Sequence, residues 1–125
     1  MSEIVDTRAG ATKVLVVEDE FFIADELRRK LTAAGLRVLG PVSSNEHALD
    51  LLEQERPDVA VLDVHLGGAR ATPVAAKLRQ LNIPFVLATA SPAHELASPV
   101  LADAVILEKP TDFGLLIETV RRVVK

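Results

Sequence analysis

The chain has 125 residues, 49% of them hydrophobic, with 18 acidic against 14 basic side chains and a formal net charge of -4. That length suits one domain with its own core, while the acidic balance and an aromatic content of four Phe with no Trp or Tyr exclude a basic or base-stacking footprint for nucleic acid. The absence of cysteine excludes disulfides, thiolate metal sites and a Cys nucleophile and fits a reducing, cytoplasmic compartment, and no apolar run has the length of a membrane span or a signal-peptide core.

Residues 1–12, MSEIVDTRAGAT, are small and polar and read as a flexible lead-in, so the domain is expected over 13–125. KVLVV at 13–17 is the first strand candidate. Ile23, Leu27 and Leu31 then recur every four residues up to Gly35, which predicts a helix and its end. RVLG at 37–40 is the second strand. Ser43 with Glu46 three places on suggests a capping box for a second helix carrying Ala48, Leu49 and Leu52, ended by Pro57. VAVLD at 59–63 is the third strand, and Val74, Leu78 and Leu81 after Pro73 predict the third helix. FVLAT at 85–89 and AVIL at 104–107 complete five strands, with a last helix after Thr111 marked by Leu116, Val120 and Val123. Between the last two strands only residues 90–103 remain, split by Pro92 and Pro99, so the fourth helix is expected to be short, irregular or absent.

The strand runs are nearly continuous in apolar residues, which is the pattern of parallel strands covered on both faces. Strict alternation with helices therefore predicts an α/β open sheet of five parallel strands with helices on both sides. In such sheets ligands bind outside the carboxyl ends of the strands. Glu18 and Asp19 follow the first strand, Asp63 closes the third, Thr89 closes the fourth, and Lys109 lies just past the fifth. Taken singly, Glu18 and Asp19 could be acids at a helix N-terminus, Asp63 a turn residue and Thr89 a β-former. Their shared placement decides for a site.

Three carboxylates at one place repel one another unless a cation lies among them. An all-oxygen set suits a hard ion, and few protein carboxylates favour Mg²⁺ over Ca²⁺. A metal beside a carboxylate, a hydroxyl and a lysine is suited to phosphoryl transfer, with Asp63 as nucleophile and the ion and ammonium countering charge on the phosphoryl oxygens.

VVEDE at 16–20, VLD at 61–63, ATA at 88–90 and EKP at 108–110 stand in the order, and at the strand ends, of the receiver domain of bacterial two-component response regulators, which the chain resembles from about Lys13 to its C-terminus. The resemblance implies the flavodoxin-like strand order 2-1-3-4-5. It makes Asp63 the phosphoacceptor and Glu18, Asp19, Asp63 and the backbone carbonyl of His65 the Mg²⁺ ligands. Thr89, the backbone N–H of Ala90 and Lys109 would bind the phosphoryl group, and Pro110 would follow a cis peptide bond. A sensor histidine kinase or histidine phosphotransfer protein would be the donor, and a homodimer through the last strand and helix is compatible with the family.

Some positions depart from that pattern. Ile106 stands where an aromatic switch residue is usual, and Gly67-Gly68 follows strand three where a Met-Pro type sequence is common. PFVLATAS at 84–91 resembles the atypical FATGUY-type class, named for a Phe-Ala-Thr-Gly signature and lacking an ordinary fourth helix, with Leu87 and Ala90 in place of its Phe and Gly. Segment 90–103 is the expected moving part.

The functional expectation is a phosphorelay switch that modifies only itself and is not a turnover enzyme. Output would pass through contact with a downstream protein, or the chain would serve as a phosphate sink, unless it is a fragment of a longer protein. Two alternatives come from other classes. An interaction module that has lost phosphorylation would have no reason to keep three repelling carboxylates. An aspartate-nucleophile phosphohydrolase of the haloacid dehalogenase type needs a DxD motif after strand one, where Asp19 is followed by Glu20 and Phe21.

Overall fold

The computed structural model describes residues 11–90 and 98–124. Strands β1 (Lys13–Val17), β2 (Arg37–Val42), β3 (Val59–Leu62), β6 (Phe85–Thr89) and β7 (Val105–Glu108) form one parallel sheet in the order β2-β1-β3-β6-β7. A two-stranded antiparallel hairpin, β4 (His65–Leu66) and β5 (Ala69–Arg70), lies between β3 and the third helix. The helices are α1 (Phe21–Ala33), α2 (Asn45–Gln54), α3 (Thr72–Gln80) and α4 (Phe113–Val123). The five-stranded, doubly wound architecture expected from the sequence is the one observed.

The two-residue period of the strands divides the core in two. Leu15, Val17, Ala60, Leu62, Phe85 and Leu87 face α2 and α3, packing on Ala48, Leu52, Val74, Ala75 and Leu78. Val14, Val16, Val59, Val61, Val86 and Ala88 face the other way, onto Leu27 and Leu31 of α1 and Leu116 and Val120 of α4. The three inner strands are buried throughout apart from Lys13, whereas edge strand β7 alternates half-buried and exposed. Each fully buried Leu or Val contributes about 1.5–3 kcal/mol of transfer free energy. The sheet is thereby a firm platform for the groups at its carboxyl ends.

Helix ends follow local chemistry. Gly35, at φ +89, ends α1 with the Leu36 N–H returning to the Leu31 carbonyl at 3.1 Å. Helix α2 is capped by Ser44, whose Oγ accepts from the His47 N–H at 3.2 Å, so the Ser43–Glu46 capping box is corrected by one residue. The last helix follows Thr111 as expected, and Asp112 caps it by accepting from the Leu115 N–H at 3.0 Å. Strand β2 runs two residues past its expected end, through a cis Gly40–Pro41 bond; at Gly40 a Cβ would stand 2.8 Å from the Val42 nitrogen.

The lead-in, up to residue 10, lies outside the described residues, as do 91–97 of the fourth crossover and with them Ser91 and Pro92. The described part of that crossover holds a 3-10 turn, Pro99–Leu101, with Leu101 buried in the core. Arg79 of α3 ties the turn down. Its Nε donates to the Val100 carbonyl at 3.0 Å, another guanidinium nitrogen donates to the Ala102 carbonyl, and the group stacks over Phe85 at 5.0 Å. Among the described residues no helix is long and apolar enough to cross a membrane.

Candidate phosphoacceptor and metal site

Where β1 leaves the sheet, Glu18 is buried and Asp19 is exposed. Glu18 is 2% exposed; its Oε2 accepts from the Glu20 N–H at 3.1 Å and its Oε1 from Lys109 Nζ at 2.8 Å. Asp63, one residue beyond the central strand β3 and 7% exposed, remains tied to the sheet through its N–H to the Val17 carbonyl at 2.9 Å. Its Oδ1 accepts from the His65 N–H at 3.3 Å and its Oδ2 from Lys109 Nζ at 3.0 Å. Lys109 thus bridges the two buried carboxylates.

Lys109 is itself aligned by the sheet, because its N–H donates to the Thr89 carbonyl at 3.0 Å. Thr89 is fully buried at the end of β6, with exposed Ala90 beside it, and the Lys109–Pro110 bond is cis, as the resemblance implied. Exposed Asp19 completes the cluster, its Oδ2 accepting from the Gly67 N–H at 2.6 Å.

Electrostatics follow from this crowding. Burial, with the Asp63 charge adding to it, pushes the Glu18 carboxyl up to about 7 against the hydrogen bonds from Lys109 and Glu20. Burial pulls the Lys109 ammonium the other way, but its bonds to Glu18 and Asp63 prevail and hold it above the ordinary lysine value. One lysine does not fully compensate three carboxylates.

Glu18, Asp19 and Asp63 each offer one oxygen within 4.8 Å of the others. Three carboxylates answered by a single ammonium leave net negative charge in the crevice, so the all-oxygen donor set fits a hard divalent cation. Of the residues singled out from the sequence, Glu18, Asp63 and Lys109 bond directly, Asp19 clusters with the two carboxylates, Thr89 joins through its carbonyl, and His65 lies beside Asp63 on the hairpin. Sequence reasoning missed the hairpin and the Gly67 bond to Asp19. The available signal was Gly67-Gly68, two glycines between short segments, which is a recurrent two-residue hairpin turn.

A doubly wound sheet with an acidic crevice and a lysine at its carboxyl ends defines the class. The model of the response regulator receiver domain matches residues 14–121, and the chain belongs to that family of phosphoacceptor switches in two-component signalling. It is 31% identical over 113 residues to the sensory transduction protein LytT of Bacillus cereus, covering 88% of this chain and 46% of that protein. It is 38% identical over 78 residues to the transcriptional regulatory protein AfsQ1 of Streptomyces coelicolor, covering 62% of this chain and 34% of that protein. The chain therefore spans about half or less of these curated relatives. Among solved structures, a response regulator receiver protein of Sinorhizobium medicae superposes with a TM-score of 0.81 at 30% identity, covering 91% of this chain and 94% of that one. The response regulator PhyR of Brucella abortus gives 0.78 at 25% identity, covering 91% and 48%.

Proposed function

We propose that Asp63 accepts a phosphoryl group from a phosphohistidine on a sensor histidine kinase or histidine phosphotransfer protein. The observation that carries this reading is the Lys109 ammonium held between the buried carboxylates of Glu18 and Asp63 at the carboxyl ends of the sheet. An Asp63 oxygen attacks phosphorus as the P–N bond breaks to a donor imidazole whose other ring nitrogen carries a proton, so that the electron pair of the broken bond stays on nitrogen and the products are an aspartyl phosphate and a neutral imidazole. Water attack on phosphorus later releases inorganic phosphate and restores the carboxylate.

Glu18, Asp19, Asp63 and the His65 carbonyl would hold Mg²⁺. Bound there, the ion supplies charge neutralisation at the phosphoryl oxygens. Lys109 moves from carboxylate to phosphoryl oxygen, while the Thr89 hydroxyl and the Ala90 N–H, carried at the end of a strand, donate to the remaining oxygens. Phe21 and Phe22, 74% and 83% exposed at the start of α1, offer an apolar anchor for the donor protein beside the site.

We place the receiver domain at 13–125 and assign it to the FATGUY-type class. Ile106, 41% exposed on the edge strand, and the 3-10 turn in the described part of the fourth crossover support that assignment. The new charge at Asp63 then reads out as loop order around Thr89, altering contact with a downstream protein. Incubation with Mg²⁺ and a small phosphodonor, followed by intact mass spectrometry, tests the reading. The expected result is one phosphoryl adduct that needs the metal and is absent in Asp63→Asn; an adduct that survives that substitution contradicts it.

A further inference from the structure

Asp19 is the exposed member of the acidic cluster, and an exposed carboxylate ordinarily samples several rotamers. Its restraint here comes from an element 48 residues away in sequence, the Gly67 N–H, at a distance short enough for a charge-assisted bond. That N–H belongs to a hairpin fixed from several sides. Leu66 is buried, the Ala71 N–H donates to the Val64 carbonyl at 2.8 Å, and Asn45 Nδ2 of α2 donates to the Arg70 carbonyl at 2.9 Å. At the other end the His65 N–H meets Asp63.

We infer that Gly67 is a positioning residue for the divalent cation: its N–H holds one oxygen of Asp19 so that the carboxylate already faces Glu18 and Asp63 before the ion arrives. The inference rests on the phosphoacceptor reading and deepens it. A fixed ligand loses less rotamer freedom on binding, and the N–H dipole offsets the repulsion from the neighbouring carboxylates. Glycine suits the position because φ is +63, while a Cβ there would meet nothing within 4 Å. The constraint is thus conformational rather than steric. Asn, which tolerates this region, should preserve the turn, and Val, which does not, should break it.

The test is Mg²⁺ titration calorimetry on the full chain. Replacing the Leu66–Gly67 amide by an ester removes the N–H and leaves the side chains unchanged; the same replacement at Gly68 is the control. The expected result is about tenfold weaker Mg²⁺ binding for the ester at 67 and for Gly67→Val, with Gly67→Asn and the Gly68 ester binding as the wild type does. Circular dichroism of the ester protein should match the wild type. Wild-type affinity in the ester at 67 overturns the inference and leaves the phosphoacceptor reading standing. A wild-type protein that takes up no Mg²⁺ overturns both.

Discussion

Raising the pH of the metal-free protein should destabilise it, and Glu18 is the reason. Its folded carboxyl is pushed from 4.5 to about 7, chiefly by burial, so between those values the folded state binds a proton that the unfolded state has released. The Glu18 contribution is then present in full below about pH 4.5 and is lost as pH rises through 7. At about 1.4 kcal/mol for each pH unit of displacement the full loss is about 3 kcal/mol. Other displaced groups act outside this window. The Asp25 carboxyl is lowered by hydrogen bonds from Arg28 and Arg29, and that of Glu55 by bonds from Lys13 and Arg37 that outweigh burial; both contributions are lost only toward acid. Lys109, raised by its two carboxylates against burial, loses its contribution only above its ordinary value of 10.5. Urea unfolding followed by circular dichroism with a chelator present, from about pH 5 to about pH 8, measures the slope. Glu18→Gln should flatten it, and Mg²⁺ should stabilise the wild type more at the alkaline end, where Glu18 is ionised. A slope unchanged in Glu18→Gln refutes the argument.

Lys109→Met should leave two buried carboxylates without their ammonium and cost about 3–5 kcal/mol in metal-free protein at alkaline pH, with a smaller loss near pH 5, measured by the same unfolding curves. Ser44→Ala should cost about 1 kcal/mol through loss of the α2 cap, while Ser43→Ala should leave the urea midpoint nearly unchanged. Arg79→Met should speed hydrogen exchange at Leu101, Ala102 and Ala104, since the guanidinium satisfies the carbonyls of that turn, with the five-stranded sheet keeping its protection.

The parallel sheet was readable because β1, β3 and β6 are buried on both faces and so appear as unbroken apolar runs. The site was readable because its carboxylates and lysine fall at strand ends, where the fold gathers them whatever their separation along the chain. Local chemistry was less transparent. Ser43 and Ser44 are equally able to accept a cap bond, and it is Ser44, in extended backbone immediately before the first helical residue, that makes it. The β4–β5 hairpin is two residues on each side, too short for alternation to register, and its signal lay in Gly67-Gly68 alone. The bond from Gly67 to Asp19 joins segments whose proximity exists only after folding.

Borohydride reduction of the phosphorylated protein, which converts an aspartyl phosphate to homoserine, followed by peptide mass mapping, tests the central claim most directly. Homoserine at position 63, formed only when both Mg²⁺ and phosphodonor are present, is the predicted result. Modification at Asp19, or none at 63 in protein that carries a phosphoryl mass, would contradict it.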